Sequence, residues 1–453
     1  MAAPHPARWG GSRAFSPWEA ADPLFRRYLR SRGAIVVAAV VAMTIAIWLA
    51  HGPDSLLNPL TALAKTSAFM AIVLLSLSFV LSVRLPFLEG LFGGLDRQYK
   101  VHAVVGKTAL IAILLHILFL VIGAIPSWGQ VLAYIVPGRS IPITWGILSL
   151  LALFPLLLLT VRLRILYGIW KQTHRLMVLP LALGIWHALT AGSDIQANPA
   201  LKAWVILVGG AGIVAYVYTL TLYRHVGPRH PAMVLGVKRF PGMTEIKVRP
   251  QRGPVRYCPG QFMFLSFPRY QGLREMWPFS ISSWLPDGAL RFSIKDLGDF
   301  TSKHVPYVHE GDEVMLMGPY GRFGDRLMKN GHNMIWIAGG VGITPFLGMA
   351  RYESEQEMER KVHLFWTFHG PEEGVYLEEL KALEGKRFRF TSWTSGRQGR
   401  LTAEKIEDLM GSKVSGNIVL MCGPVSMMKD LAEQFEARGV PWRDIVFEDF
   451  DLL

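Results

Sequence analysis

Cysteine is almost missing from this chain of 453 residues. Its two thiols, Cys258 and Cys422, both fall in the second half, which excludes a disulfide framework. Charge is also scarce: charged residues make up 18% of the chain against 51% hydrophobic ones. The mean hydropathy of +0.30 is too apolar for an ordinary soluble protein. No small-residue cleavage site follows the first apolar run. The polar stretch before it, residues 1–33 with Arg26, Arg27, Arg30 and Arg32, is long for a signal-peptide n-region. An uncleaved anchor behind a cytoplasmic tail is expected. The apolar excess ends near Tyr223, after which alternating strand-like runs, Gly/Pro turns and scattered charge read as a soluble half.

Six apolar spans are expected at about 34–50, 61–82, 101–123, 144–160, 174–191 and 202–222, each near the length that crosses a bilayer. Lys and Arg are absent from the loops at 51–60 and 191–201, and the 124–143 loop has only Arg139. The opposite loops carry Arg84, Arg97 and Lys100, then Arg162, Arg164, Lys171 and Arg175, and Arg224 follows the last span. This asymmetry places both termini in the cytoplasm of a multi-pass cell-membrane protein. It also accounts for the net charge of +13 better than nucleic-acid binding does.

Two spans carry paired histidines: His102 and His116 in the third, His174 and His187 in the fifth. Fourteen helical residues close almost a whole number of turns, so His102 and His116 share a face about 21 Å apart along the axis. Thirteen residues do not close so well, but Pro180 lies between His174 and His187 and kinks or rewinds a helix locally. Imidazoles at matched depth on two spans fit bis-histidine ligation of two stacked haems. Interhelical hydrogen-bonding histidines are the simpler alternative. Zinc is the weaker metal, since Cys, Asp and Glu are absent from both segments.

Six spans with this histidine pattern, together with LDRQYKVHAVVGK and YGIWKQTHR, resemble the ferric reductase and NADPH oxidase superfamily. The resemblance covers nearly the whole chain from about residue 34. It implies a six-helix transmembrane di-haem domain (34–223), an antiparallel β-barrel that binds FAD (228–327) and an α/β domain that binds NAD(P) (328–453). Trp277-Pro278-Phe279-Ser280-Ile281-Ser282-Ser283 resembles the family's flavin strand, with Pro278, Phe279, Ser280 and Ser282 as its contacts. RFSIKDLGDFT resembles the second half of that site, where Lys295, Gly298 and Thr301 would meet the pyrophosphate. Trp277 stands where oxidases commonly have histidine.

NMIWIAGGVGITPFLGMARY reads as a buried strand, a glycine turn and a helix entered through Thr344 and Pro345. Gly339, Gly340 and Gly342 let the backbone approach a pyrophosphate at the helix N-terminus. Cys422-Gly423-Pro424 resembles the segment beside the nicotinamide, with the thiol read chiefly as packing. His369, Arg397 and Arg400 lie where the family reads a 2′-phosphate, favouring NADPH over NADH. Phe450, or alternatively Phe447, would be the terminal aromatic that shields the flavin.

The resemblance implies electron transfer from NAD(P)H through FAD and two b-type haems to a small-molecule acceptor outside the cytoplasm. Oxygen giving superoxide is expected, a ferric or cupric chelate being the alternative. A histidine-dependent proton or metal transporter is the rival from another class. For oxygen, LAKTSAF matches an oxidase stretch whose cation faces the outer haem, making Lys65 the candidate, whereas Leu120 stands where oxidases often have a further histidine.

Overall fold

The computed structural model describes residues 31–125, 127–161, 167–191, 194–269, 275–297, 301–302, 304–328, 331–356 and 359–448. Gly298, Phe450, Arg162, Arg164 and all but the last residues of the tail lie outside these. The chain divides at His225/Val226 into a helical unit and a second unit holding two sheets.

The helical unit contains α1 (Arg32–Leu49), α2 (Pro59–Leu81), α3 (Leu95–Ala124), α4 (Ile141–Val161), α5 (Tyr167–Arg175), α6 (Val178–Thr190) and α7 (Pro199–Val217). Asn-Pro starts two of them. Asn58 accepts from the Leu60 and Thr61 amides and Asn198 from the Leu201 amide, while each proline fills a position whose N–H has no helical partner. Among the described residues five helices, α1 to α4 and the one begun by α7, are long and apolar enough to cross a membrane. The span expected at 174–191 differs: it is two pieces, α5 and α6, broken at Leu176 and Met177. Pro180 has no N–H for the Leu176 carbonyl, which takes the Leu179 amide instead at 2.9 Å, one residue short of the α-helical interval.

In the second unit, β1 (Arg229–Phe240), β2 (Met243–Pro250), β3 (Phe262–Ser266), β4 (Trp277–Ser280), β5 (Leu290–Lys295) and β6 (Glu313–Tyr320) form an antiparallel sheet in the order β4-β3-β6-β1-β2-β5. A bridge between Ile281 and Phe292 joins its two ends, curling it into a barrel around Ile246, Leu265, Phe267 and Phe292. A parallel sheet follows, in the order β11-β10-β7-β8-β9: β7 (Met334–Gly339), β8 (Val362–Phe368), β9 (Phe388–Thr394), β10 (Ile418–Cys422) and β11 (Ile445–Glu448). Its strands are nearly continuous apolar runs because helices such as α8 (Thr344–Glu355) and α10 (Val425–Ala437) cover them.

Candidate functional site

His102 and His174 meet across the helices, their ring centroids 6.1 Å apart. Each ring is also held from behind. His102 Nδ1 lies 2.7 Å from the Ser78 carbonyl, His116 Nδ1 2.9 Å from that of Ala64, and His187 Nδ1 2.8 Å from that of Pro142. A carbonyl only accepts, so these Nδ1 atoms carry the proton and Nε2 keeps the lone pair that ligates. His174 is held less firmly, 3.5 Å from the Thr160 hydroxyl, which itself donates to Leu156, and its ring stacks on Trp170.

The 6.1 Å separation leaves room for a metal with a bond of about 2 Å to each ring. Among the described residues no group of three or more His, Cys, Asp or Glu is gathered around a metal position. Paired imidazoles therefore suit a metal that brings its own equatorial ligands, as haem iron does, better than four-coordinate zinc. Gly146 is a residue that the sequence analysis missed. A Cβ there would lie 3.0 to 3.1 Å from three atoms of the His187 ring, so the imidazole rests flat against the α4 backbone.

Lys65 is not an isolated cation. Its ammonium lies 3.0 Å from Asp194 Oδ1, while Trp48 Nε1 and the Ser55 hydroxyl each donate to Oδ2 at 2.7 Å. Burial raises the Asp194 pKa, but these three donors outweigh it and hold the carboxyl below its ordinary 3.8. A depressed carboxyl contributes stability that is complete above the unfolded value and is lost as pH falls through the folded one, so the cluster is intact at neutral pH.

In the barrel, β4 presents Pro278, Phe279 and Ser280 along an edge of the sheet. The Ser280 hydroxyl is buried with no partner among the described residues, a donor that fits a bound cofactor. Ser282 is fully buried and bonds to Ser293 and the Arg291 carbonyl. Thr301 accepts from the Leu297 amide at 2.9 Å. Lys295 points to Glu373 at 4.0 Å, and Glu373 in turn flanks Gly340, so this lysine lies by the glycine turn as well as the flavin stretch.

The parallel sheet reverses its winding between β7 and β10, and the carboxyl ends of those strands carry Gly339–Gly342 and Cys422–Pro424. Such a switch point is where open α/β sheets bind nucleotides. Gly340 has a φ of +53°, and Thr344 and Pro345 begin α8. Cys422 is fully buried. His369 follows β8, and its carbonyl takes the Gly396 amide at 3.2 Å, which brings it beside the short helix Ser395–Gln398 bearing Arg397. Arg397 is exposed, whereas Arg400 is engaged with Asp430 at 3.0 Å. Phe447 is buried in β11 against Trp442, a core position.

A helical unit with paired histidines, a flavin-type barrel and a dinucleotide-type sheet define a membrane oxidoreductase that uses FAD and NAD(P). Family models match in the same order: ferric reductase like transmembrane component at 67–185, FAD-binding domain at 236–335 and oxidoreductase NAD-binding domain at 336–433. This is the ferric reductase/NADPH oxidase-type architecture, and the chain is an NAD(P)H-dependent oxidoreductase. It is 30% identical over 236 residues to the reductase component of propane 2-monooxygenase from Rhodococcus jostii, covering 47% of this chain and 62% of that one. It is 28% identical over 210 residues to flavohemoprotein A of Dictyostelium discoideum, covering 43% of this chain and 52% of that one. The chain thus spans little more than half to three fifths of these relatives' length. The flavohemoglobin of Malassezia yamatoensis is similar in fold, with a TM-score of 0.50 at 16% identity over 87% of this chain and 97% of that one.

Proposed function

We propose that the chain carries electrons from cytoplasmic NAD(P)H, by way of FAD and two b-type haems, across a six-span membrane domain to an acceptor on the outer side. The His102–His174 ring pair, 6.1 Å between centroids, together with the Nδ1 atoms of His102, His116 and His187 tied back to carbonyls so that each Nε2 keeps its lone pair, is the observation that carries this reading. His102 and His174 would hold the inner haem, and His116 and His187 the outer one. When bound, FAD converts a two-electron hydride into single electrons and the haem irons accept them one at a time. The protein's part is placement. Ser280 and its strand hold the flavin, Lys295 and the glycine turn receive phosphate charge, and the His–carbonyl bonds fix the imidazole planes. The α5–α6 pair completes the sixth crossing.

Oxygen, giving superoxide, is the proposed acceptor. The Lys65–Asp194 pair supports the second reading, reduction of a ferric or cupric chelate, because a neutralised ammonium attracts superoxide less than a lone one does. Purified full-length protein should show haem absorption that NADPH reduces without oxygen. Turnover compared with oxygen, ferric chelate and quinone then decides the acceptor. Lys65→Met is expected to slow reoxidation by oxygen and leave haem reduction unchanged. Turnover with ferric chelate alone moves the protein to the second reading, and a chain without haem rejects both.

NADPH is the proposed donor. Arg397→Ala should raise the KM for NADPH roughly tenfold, the worth of one charge-assisted hydrogen bond. It should lower kcat little, because the 2′-phosphate is remote from hydride transfer. Equal wild-type kinetics with NADH and NADPH would reject this assignment.

A further inference from the structure

The side chain of Arg291, on β5, has no part in the sites above, yet it bonds both within the barrel and to a helix of the parallel-sheet domain. Its Nε and Nη2 donate to the Ser282 carbonyl at 2.9 and 2.6 Å, directly after the flavin strand. Its Nη1 and Nη2 form a fork on Glu379 at 2.8 Å each. Glu379 lies on α9 (Leu377–Ala382), and Arg351, on the helix that leaves the glycine turn, donates to the same carboxylate at 3.0 Å. Two guanidinium groups sharing one carboxylate thereby connect the flavin strand to the helix whose N-terminus faces the nucleotide position.

Two further contacts converge there. Ser282, Ser293, Tyr376 and Glu245 form a buried hydroxyl-to-carboxylate chain with steps of 2.9, 2.6 and 3.0 Å, and Glu245 lies 3.6 Å from Arg291. At Gly348 a Cβ would lie 2.8 Å from the Ser283 carbonyl and 3.1 Å from that of Ile281, so α8 packs backbone against backbone on residues 281–283. A partly buried charge network is a poor way to gain stability, since apolar side chains of similar volume often do as well when an ion pair is desolvated. Its geometry is directional, and the Arg–carboxylate fork is the most orientation-specific ion pair that side chains make.

We infer that Arg291, Glu379 and Arg351 form a positioning clamp that fixes the nucleotide-binding sheet against the flavin strand and so sets the approach of the nicotinamide to the flavin. The inference rests on the flavin and nucleotide sites proposed above and is independent of the haems. These residues do not touch the reacting atoms. They act through the Ser282 backbone and through α8, and a displacement of about 1 Å between two reactants costs about a hundredfold in rate.

The test is anaerobic stopped-flow bleaching of the flavin by NADPH in full-length protein, comparing wild type, Glu379→Gln and Arg291→Lys. Glu379→Gln keeps the shape and loses the charge; Arg291→Lys keeps the charge and loses the fork. Both are expected to bind FAD and NADPH as the wild type does, while the limiting rate of flavin reduction falls about 10- to 100-fold. The primary deuterium isotope effect with NADPH labelled at the transferred hydrogen should rise. Rates within twofold of wild type in both variants would overturn the inference. So would loss of FAD from both, which would make the network a folding scaffold. Failure of the underlying site assignment is distinct, because it appears as a wild-type chain that binds no FAD or is not bleached by NADPH.

Discussion

His102→Ala is expected to yield a protein that keeps its flavin and its outer haem, loses the inner haem, and no longer passes electrons from NADPH to any outer acceptor. The ring lies between the Ser78 carbonyl and the His174 ring, so its removal would take away one of the two axial nitrogens of the proposed inner haem. The hydrogen bond that set its tautomer goes as well. His174 does not compensate: its Nδ1 partner is a hydroxyl at 3.5 Å that already donates elsewhere, and the ring is oriented chiefly by Trp170. The expected haem content is half that of the wild type, with the remaining haem still bis-histidine by low-temperature EPR. NADPH should still bleach the flavin, since the nucleotide and flavin stretches lie beyond residue 226. His116→Ala should remove the outer haem and leave the inner one reducible by NADPH. Two intact bis-histidine signals in either variant would show that the replaced histidine is not a haem ligand.

These differences follow from what a sequence can carry. The period of fourteen residues put His102 and His116 on one face because an unbroken helix has a fixed pitch, and α3 is unbroken over both. The interval of thirteen gave no such certainty. Pro180 marked the place, but where the freed Leu176 carbonyl would find a donor depends on local rewinding that no spacing encodes. The glycine turn was legible because one short run supplies both its flexibility and its neighbouring helix. The partner of Lys65 was not: Asp194 is 129 residues away, and the carboxylate also gathers Trp48 and Ser55 from separate segments. Gly146 and Arg291 escaped for the same reason. A glycine in an apolar helix reads as composition until an imidazole is found against it, and an arginine starting a strand reads as surface until its carboxylates appear.

Gly342→Ala should weaken nucleotide-dependent flavin reduction by two orders of magnitude while leaving FAD and haem content unchanged. The added Cβ would fall 2.1 Å from the Cys422 carbonyl oxygen, 2.5 Å from its carbon and 2.8 Å from the Gly423 nitrogen. All three are backbone atoms at the end of β10, a strand fully paired between β7 and β11, so no side-chain rotation relieves the contact. The turn must instead move away from Cys422-Gly423-Pro424, the other wall of the switch-point crevice. Overpacking of this kind costs about 1 to 3 kcal/mol of stability, and a shift of about 1 Å in a phosphate-binding backbone is worth about a hundredfold in rate. The expected result is a hundredfold or greater rise in the NADPH concentration needed to bleach the flavin, with unchanged FAD content and normal reduction of flavin and haem by dithionite. Gly385→Ala, at a position where a Cβ meets nothing within 4 Å, is the matching control and should behave as wild type. Wild-type NADPH affinity in Gly342→Ala would remove the glycine turn from the nucleotide site and return it to an ordinary connection between strand and helix.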